Sequence, residues 1–89
     1  MTEKKETQLE FPCEFPIKIM GKAHEEFEIA VLSIITKHVP DLAEDALKIR
    51  PSKEGKYIAI TATIIAENQE QLDNIYIELS AHERIIMAL

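Results

Sequence analysis

Cys13 is the only cysteine in the chain, and it stands between Pro12 and Glu14. A soft metal ion or a dithiol couple needs at least two thiols brought together, so Cys13 reads as a small half-buried side chain at the start of a strand. His24, His38 and His82 lie at different element ends with no i, i+4 pair, and read as helix-terminal or surface groups instead of metal ligands or general bases. Ser33, Ser52 and Ser80 have no His and acid near them in a recognisable order, which leaves nucleophilic catalysis without a candidate. Acidic side chains are plentiful, but Glu25, Glu26 and Glu28 read as a solvated helix face and Glu44-Asp45 as a loop. No catalytic residue, metal ligand or cofactor is expected, and the chain is read as a non-enzyme.

One segment has the ingredients of a small-molecule site. The run Met20-Gly21-Lys22-Ala23-His24 joins a strand to a helix. There Gly21 permits close backbone approach, helix-start N–H groups favour a carboxylate, and Lys22 adds charge; a tight strand-to-helix turn is the plainer account of Gly21. The same run has no Cys-x-x-Cys to carry copper. It also has no arginine to cradle an acyl phosphate, since the only arginines are Arg50 and Arg84. The basic group Lys48, Arg50, Lys53 and Lys56 reads as a solvated hairpin rim, with an anion site as the alternative.

The hydrophobic periods place these residues. Phe15, Ile17 and Ile19 alternate with Pro16, Lys18 and Met20, the period of a half-buried strand ended by Gly21. Pro12 and Pro16 are expected to confine its start to a lead-in segment. From about Ala23 to His38 the period is helical, with Phe27, Ala30, Val31, Ile34, Ile35 and His38 on one face, and Val39-Pro40 stops it. Glu25 and Glu26 in the first turn and Lys37-His38 in the last suit the helix dipole. Leu47 and Ile49 alternate with Lys48 and Arg50 as a second strand, and Pro51 to Gly55 supplies turn chemistry. Lys56 to Ala66 forms the longest strand, with Ile58, Ile60, Ala62 and Ile64 on one face and Tyr57, Ala59, Thr61 and Thr63 on the other. Asn68 and Gln71 give a capping-box signal for a second helix through Leu72, Ile75, Tyr76 and Leu79. Arg84 to Leu89 closes the series as an apolar strand.

Two right-handed strand-helix-strand crossovers joined by a hairpin define the α+β ferredoxin-like βαββαβ sandwich. Its four-stranded antiparallel sheet has the order 4-1-3-2, with two helices on one face. Residues 1–10 are expected to be a flexible segment ahead of a single domain over 11–89. The free sheet face, with Tyr57, Ala59, Thr61 and Thr63 on it and Lys18 and Met20 from the neighbouring strand, is either a water-tolerant surface or a docking platform. Ile29, Leu32 and Ile77 fall off the helical stripes and, if exposed, leave apolar area in water at roughly 25 cal/mol per Å2. They are therefore interface candidates.

Eighty-nine residues suit one domain with a thin core, which gains from self-association. The formal charge of −6 opposes encounters with phosphate backbones and anionic lipid. RNA-recognition domains stack bases on aromatics of the central strands, and here only Tyr57 qualifies, so no nucleic acid is expected. With no signal peptide and no long apolar run, a cytoplasmic, membrane-free protein is expected.

The segments Leu9-Glu10-Phe11-Pro12, Lys18-Ile19-Met20-Gly21 and Lys48 to Tyr57, with its Pro-Ser-x-x-Gly-x-Tyr turn, together with the short C-terminal strand, resemble the YbeD-like family of small bacterial proteins. The likeness spans about Leu9 to Leu89. It implies a ferredoxin-like fold similar to the ACT-type regulatory domains that bind amino acids. It also brings a hint of lipoate metabolism, from gene neighbourhood, and no catalytic residues. The expected function is a small regulatory or binding module acting through a protein partner or a homo-oligomer, with Ile29, Leu32, Ile77, Tyr57 and Thr61 at its interface. The alternative is an ACT-like sensor of an amino acid or carboxylate at Gly21, Lys22 and His24.

Overall fold

The computed structural model describes residues 10–89, so the expected flexible segment lies, apart from Glu10, outside the described residues. The elements follow the sequence periods: β1 (Cys13–Lys22), α1 (Glu25–His38), β2 (Leu47–Pro51), β3 (Tyr57–Ala66), α2 (Gln69–Ala81) and β4 (Ile85–Ala88). The sheet is antiparallel with order β2-β3-β1-β4, the expected ferredoxin-like arrangement counted from the other edge.

Alternation along the strands divides the sheet into a covered and an open face. Ile17 and Ile19 of β1 and Ile58, Ile60, Ala62, Ile64 and Ala66 of β3 are buried beneath Phe27, Val31 and Ile35 of α1 and Leu72, Ile75 and Leu79 of α2. Ile34, assigned to the core by the helical stripe, is only partly buried and packs at its margin.

Proline 16 corrects the expectation that it would lie in a lead-in segment, because it sits inside central strand β1 opposite Thr63. Lys18 exchanges both backbone bonds with Leu89, at 3.0 and 2.7 Å, so its polar groups point toward β4. Two residues earlier the backbone of Pro16 points the same way but lies outside this pairing, which runs along β1 from Lys18 to Gly21. The missing proline N–H therefore removes no ladder bond.

Helix α2 starts as its sequence signal indicates. The Asn68 side chain accepts from the Gln71 N–H at 2.8 Å, and Gln71 Oε1 accepts from the Glu67 N–H at 2.6 Å. Gln71 Nε2 also donates to the His38 carbonyl at 2.9 Å, which ties the start of α2 to the end of α1. The Pro-Ser-x-x-Gly-x-Tyr turn proves to be a hairpin clasp. The Ser52 carbonyl accepts from the Gly55 N–H, Ser52 Oγ accepts from the Tyr57 N–H, and Gly55 takes a φ of 74°. Positive φ is what only glycine adopts freely, so this motif serves the turn itself.

Candidate functional site: a basic open sheet face

The side chains that alternate away from the core form the open face. Lys18 and Met20 come from β1, Lys48 and Arg50 from β2, and Ala59 and Thr61 from β3. The registers Lys18↔Thr61↔Lys48 and Met20↔Ala59↔Arg50 set these residues in two rows across three strands. Met87 continues the second row on β4, opposite Met20, and Leu89 sits beside Lys18. The small floor of Ala59 and Thr61 between longer side chains leaves a concavity of about 500 Å3, lined also by Ile49. Three cationic side chains and no acidic side chain line it, in a chain of net charge −6. None of the ion pairs among the described residues engages Lys18, Lys48 or Arg50. A second concavity, of about 560 Å3, lies beside it under the α1–β2 connection and is rimmed by Glu14, Asp41, Asp45 and Glu67, with Lys48 shared between the two. The positive field on the open face is thus local and bounded.

The residues singled out for a carboxylate site are occupied differently from that reading. Gly21 does not end β1, which runs on to Lys22. It is buried, and a Cβ there would lie 2.6 Å from the Arg84 carbonyl oxygen and closer still to the Phe27 ring. Packing of Phe27 against bare backbone accounts for this glycine. His24 is the N-cap of α1, its Nδ1 accepting from the Glu26 N–H at 3.0 Å. Lys22 is exposed and shares a shallow depression with Glu83, Arg84 and Ile86, while Arg84 itself reaches Glu26 Oε1 at 3.1 Å.

The five interface candidates separate into two sets. Ile29, Leu32 and Ile77 are 63%, 46% and 64% exposed on the helices. Tyr57 and Thr61 lie on the open face of the sheet, on the opposite side of the molecule from the helix layer. No single contact patch holds both sets.

At the helix layer, Lys37 Nζ donates to Glu78 Oε2 at 2.8 Å, and His38 Nε2 lies 3.4 Å from the same oxygen. The Lys37 hydrogen bond is the main cause that holds the Glu78 carboxyl below the usual carboxylate range. Burial pushes the Tyr76 phenol up. Among the described residues no group of three His, Cys, Asp or Glu is placed to hold a metal ion, and no helix is long and apolar enough to cross a membrane.

Lys48 and Arg50 as partners of Lys18 were missed in the sequence. Their i, i+2 spacing on a strand already puts both on one face, and that was the available signal. The hairpin-rim reading grouped them instead with Lys53 and Lys56, which lie in the turn.

Fold and surface together define a ferredoxin-like α+β domain with a basic, partly apolar open sheet. Residues 6–89 match the family described as "Protein of unknown function (DUF493)". The chain belongs to that family, the UPF0250 or YbeD-like proteins that its motifs resemble. It is 43% identical to a UPF0250 protein of Chromobacterium violaceum over 89 residues, and 47% identical over 91 residues to UPF0250 protein NMB1218 of Neisseria meningitidis. Both alignments cover the whole of each chain. Its fold is similar to that of the uncharacterized protein TM1266 from Thermotoga maritima, with a TM-score of 0.66 and 10% identity over 86% of this chain and 94% of that one. That level of identity speaks to the fold alone.

Proposed function

We propose that this chain is a non-catalytic binding module, acting over residues 11–89 as one unit, whose working surface for a protein partner is the open sheet face. The observation that carries this reading is the concavity on that face, where Lys18, Lys48 and Arg50 surround an apolar and small-residue floor. A surface kept only for solubility has no need of apolar Met20, Met87 and Leu89 set side by side, and all three are exposed. The sensor alternative loses its main support, since internal packing accounts for Gly21 and helix capping for His24 Nδ1. A regulatory role in a cytoplasmic pathway fits a module of this kind.

Site-specific photocross-linking in the cells that make the protein tests the reading. A benzoylphenylalanine at Thr61 is expected to capture a discrete protein, and the same probe at Ile77 is not. Capture only from Ile29, Leu32 or Ile77 would move the working surface to the helix layer and end this proposal.

A further inference from the structure

We propose that the occupant of the open face is an acidic, amphipathic segment of another protein, with Lys18, Lys48 and Arg50 meeting its carboxylates and Met20, Met87 and Leu89 its apolar side chains. The inference rests on the reading above and names the chemistry of the partner. Charge complementarity is its first support: the side chains lining the concavity include three cations and no acid, although acidic side chains outnumber basic ones 16 to 10 in the chain. A partner of the opposite sign gains both encounter rate and orientation from such a patch.

Spacing is the second support. Lys18 and Lys48 flank Thr61 from the two neighbouring strands, so their backbones lie roughly 9–10 Å apart, and Arg50 is two residues beyond Lys48, roughly 7 Å along the strand. Cations set out at these intervals can each meet a separate carboxylate. Acidic side chains two residues apart in an extended segment repeat at about the same 7 Å. A small-molecule site also encloses most of its ligand, which an open sheet face does not.

A second copy of the chain fits this face poorly. A two-fold interface brings the same patch against itself, so stacking two sheets would set Lys18, Lys48 and Arg50 of one copy near those of the other. Single-stranded RNA fits poorly as well, because the centre of the face offers Ala59 and Thr61 where stacking would need aromatic rings.

The test uses the full chain and fluorescein-labelled twelve-residue peptides in which every second residue is Ser and the positions between carry three Glu followed by three Leu, so that both types share one face of an extended segment; Gln-Leu and Lys-Leu counterparts and a polyuridylate of similar length are compared, all read by anisotropy. The Glu-Leu peptide is expected to bind saturably. Its affinity should fall about tenfold or more in Lys48→Glu/Arg50→Glu, recover in Lys48→Arg/Arg50→Lys, and weaken as salt rises from about 0.05 M to about 0.5 M. Leu32→Glu and Ile77→Glu should leave it unchanged. Circular dichroism of each variant verifies the fold, and the exposed positions chosen make its loss unexpected.

Equal binding of the Gln-Leu peptide, insensitivity to charge reversal, or absence of binding would each overturn the inference. So would tighter binding of the polyuridylate, or a dimer by light scattering that Lys48→Glu dissociates. If any of these results appears while Thr61 still cross-links a partner, the acidic chemistry is wrong and the working surface stands. If Thr61 captures nothing, the earlier reading fails first.

Discussion

The two faces of the sheet are built from the same strands by alternate residues, yet different forces shape them. On the covered face, Ile17, Ile19, Ile60 and Ile64 meet the helix layer, and packing fixes each position. On the open face, Lys18, Met20, Ala59 and Thr61 are tied by backbone pairing alone, so their side chains are free of any demand from the core. Stability thus resides on one side, and the side relieved of it carries a concentrated charge opposite in sign to the whole chain. Substitutions on the two faces should separate cleanly into effects on unfolding and effects on binding.

The largest stability loss is expected from Phe27→Ala, which empties a fully buried ring site at the junction of α1 and β1, by about 3–5 kcal/mol in denaturant unfolding. Leu72→Ala should follow at about 2–5 kcal/mol and Val31→Ala somewhat below it. Unchanged midpoints in either would contradict the assigned core. Gly21→Ala sharpens the comparison, because it lies on β1 beside open-face Met20 yet has no room for a methyl group. Overpacking there should destabilise by about 1–3 kcal/mol. Thermal melts of Gly21→Ala alone and with Phe27→Leu examine the cause, since the smaller side chain should return part of the loss.

On the open face, Lys48→Glu/Arg50→Glu should alter unfolding by no more than about 0.5 kcal/mol, as both residues are exposed and outside the ion pairs of the described residues. A loss as large as that of Leu72→Ala would show that this face also bears structural load. The smallest effect concerns Glu78, whose carboxyl is held below its ordinary range mainly by Lys37. A group with a depressed folded pKa contributes stability above its unfolded pKa and loses it as pH falls through the folded value. Glu78→Gln should therefore melt slightly below the wild type near neutral pH. That gap should close as the medium is acidified through and below the usual carboxylate range.

Much of the fold was legible because burial writes itself into sequence as a period. Ile58, Ile60, Ala62 and Ile64 announce a strand with one covered face, and Leu72, Ile75 and Leu79 announce a helix over it. The residues read differently in the structure depend on partners distant in sequence. Pro16 is tolerated because of where β4 stops, and Gly21 is required by a ring from α1 and a carbonyl from the α2–β4 turn, neither of which leaves a local trace. The candidate site was half legible. Thr61 and Tyr57 were placed on the free face, and Lys48 and Arg50 were visible as a same-face pair. Only the register Lys18↔Thr61↔Lys48 shows that cations from two strands converge on one floor.

The separation of roles between the two faces is tested most directly by amide chemical-shift mapping of the full chain during titration with the Glu-Leu peptide. Saturable shifts centred on Lys18, Met20, Lys48, Arg50, Thr61 and Met87, with α1 and α2 unmoved around Leu32 and Ile77, are the expected result. Shifts centred on the helix layer, with the open face silent, would contradict the account.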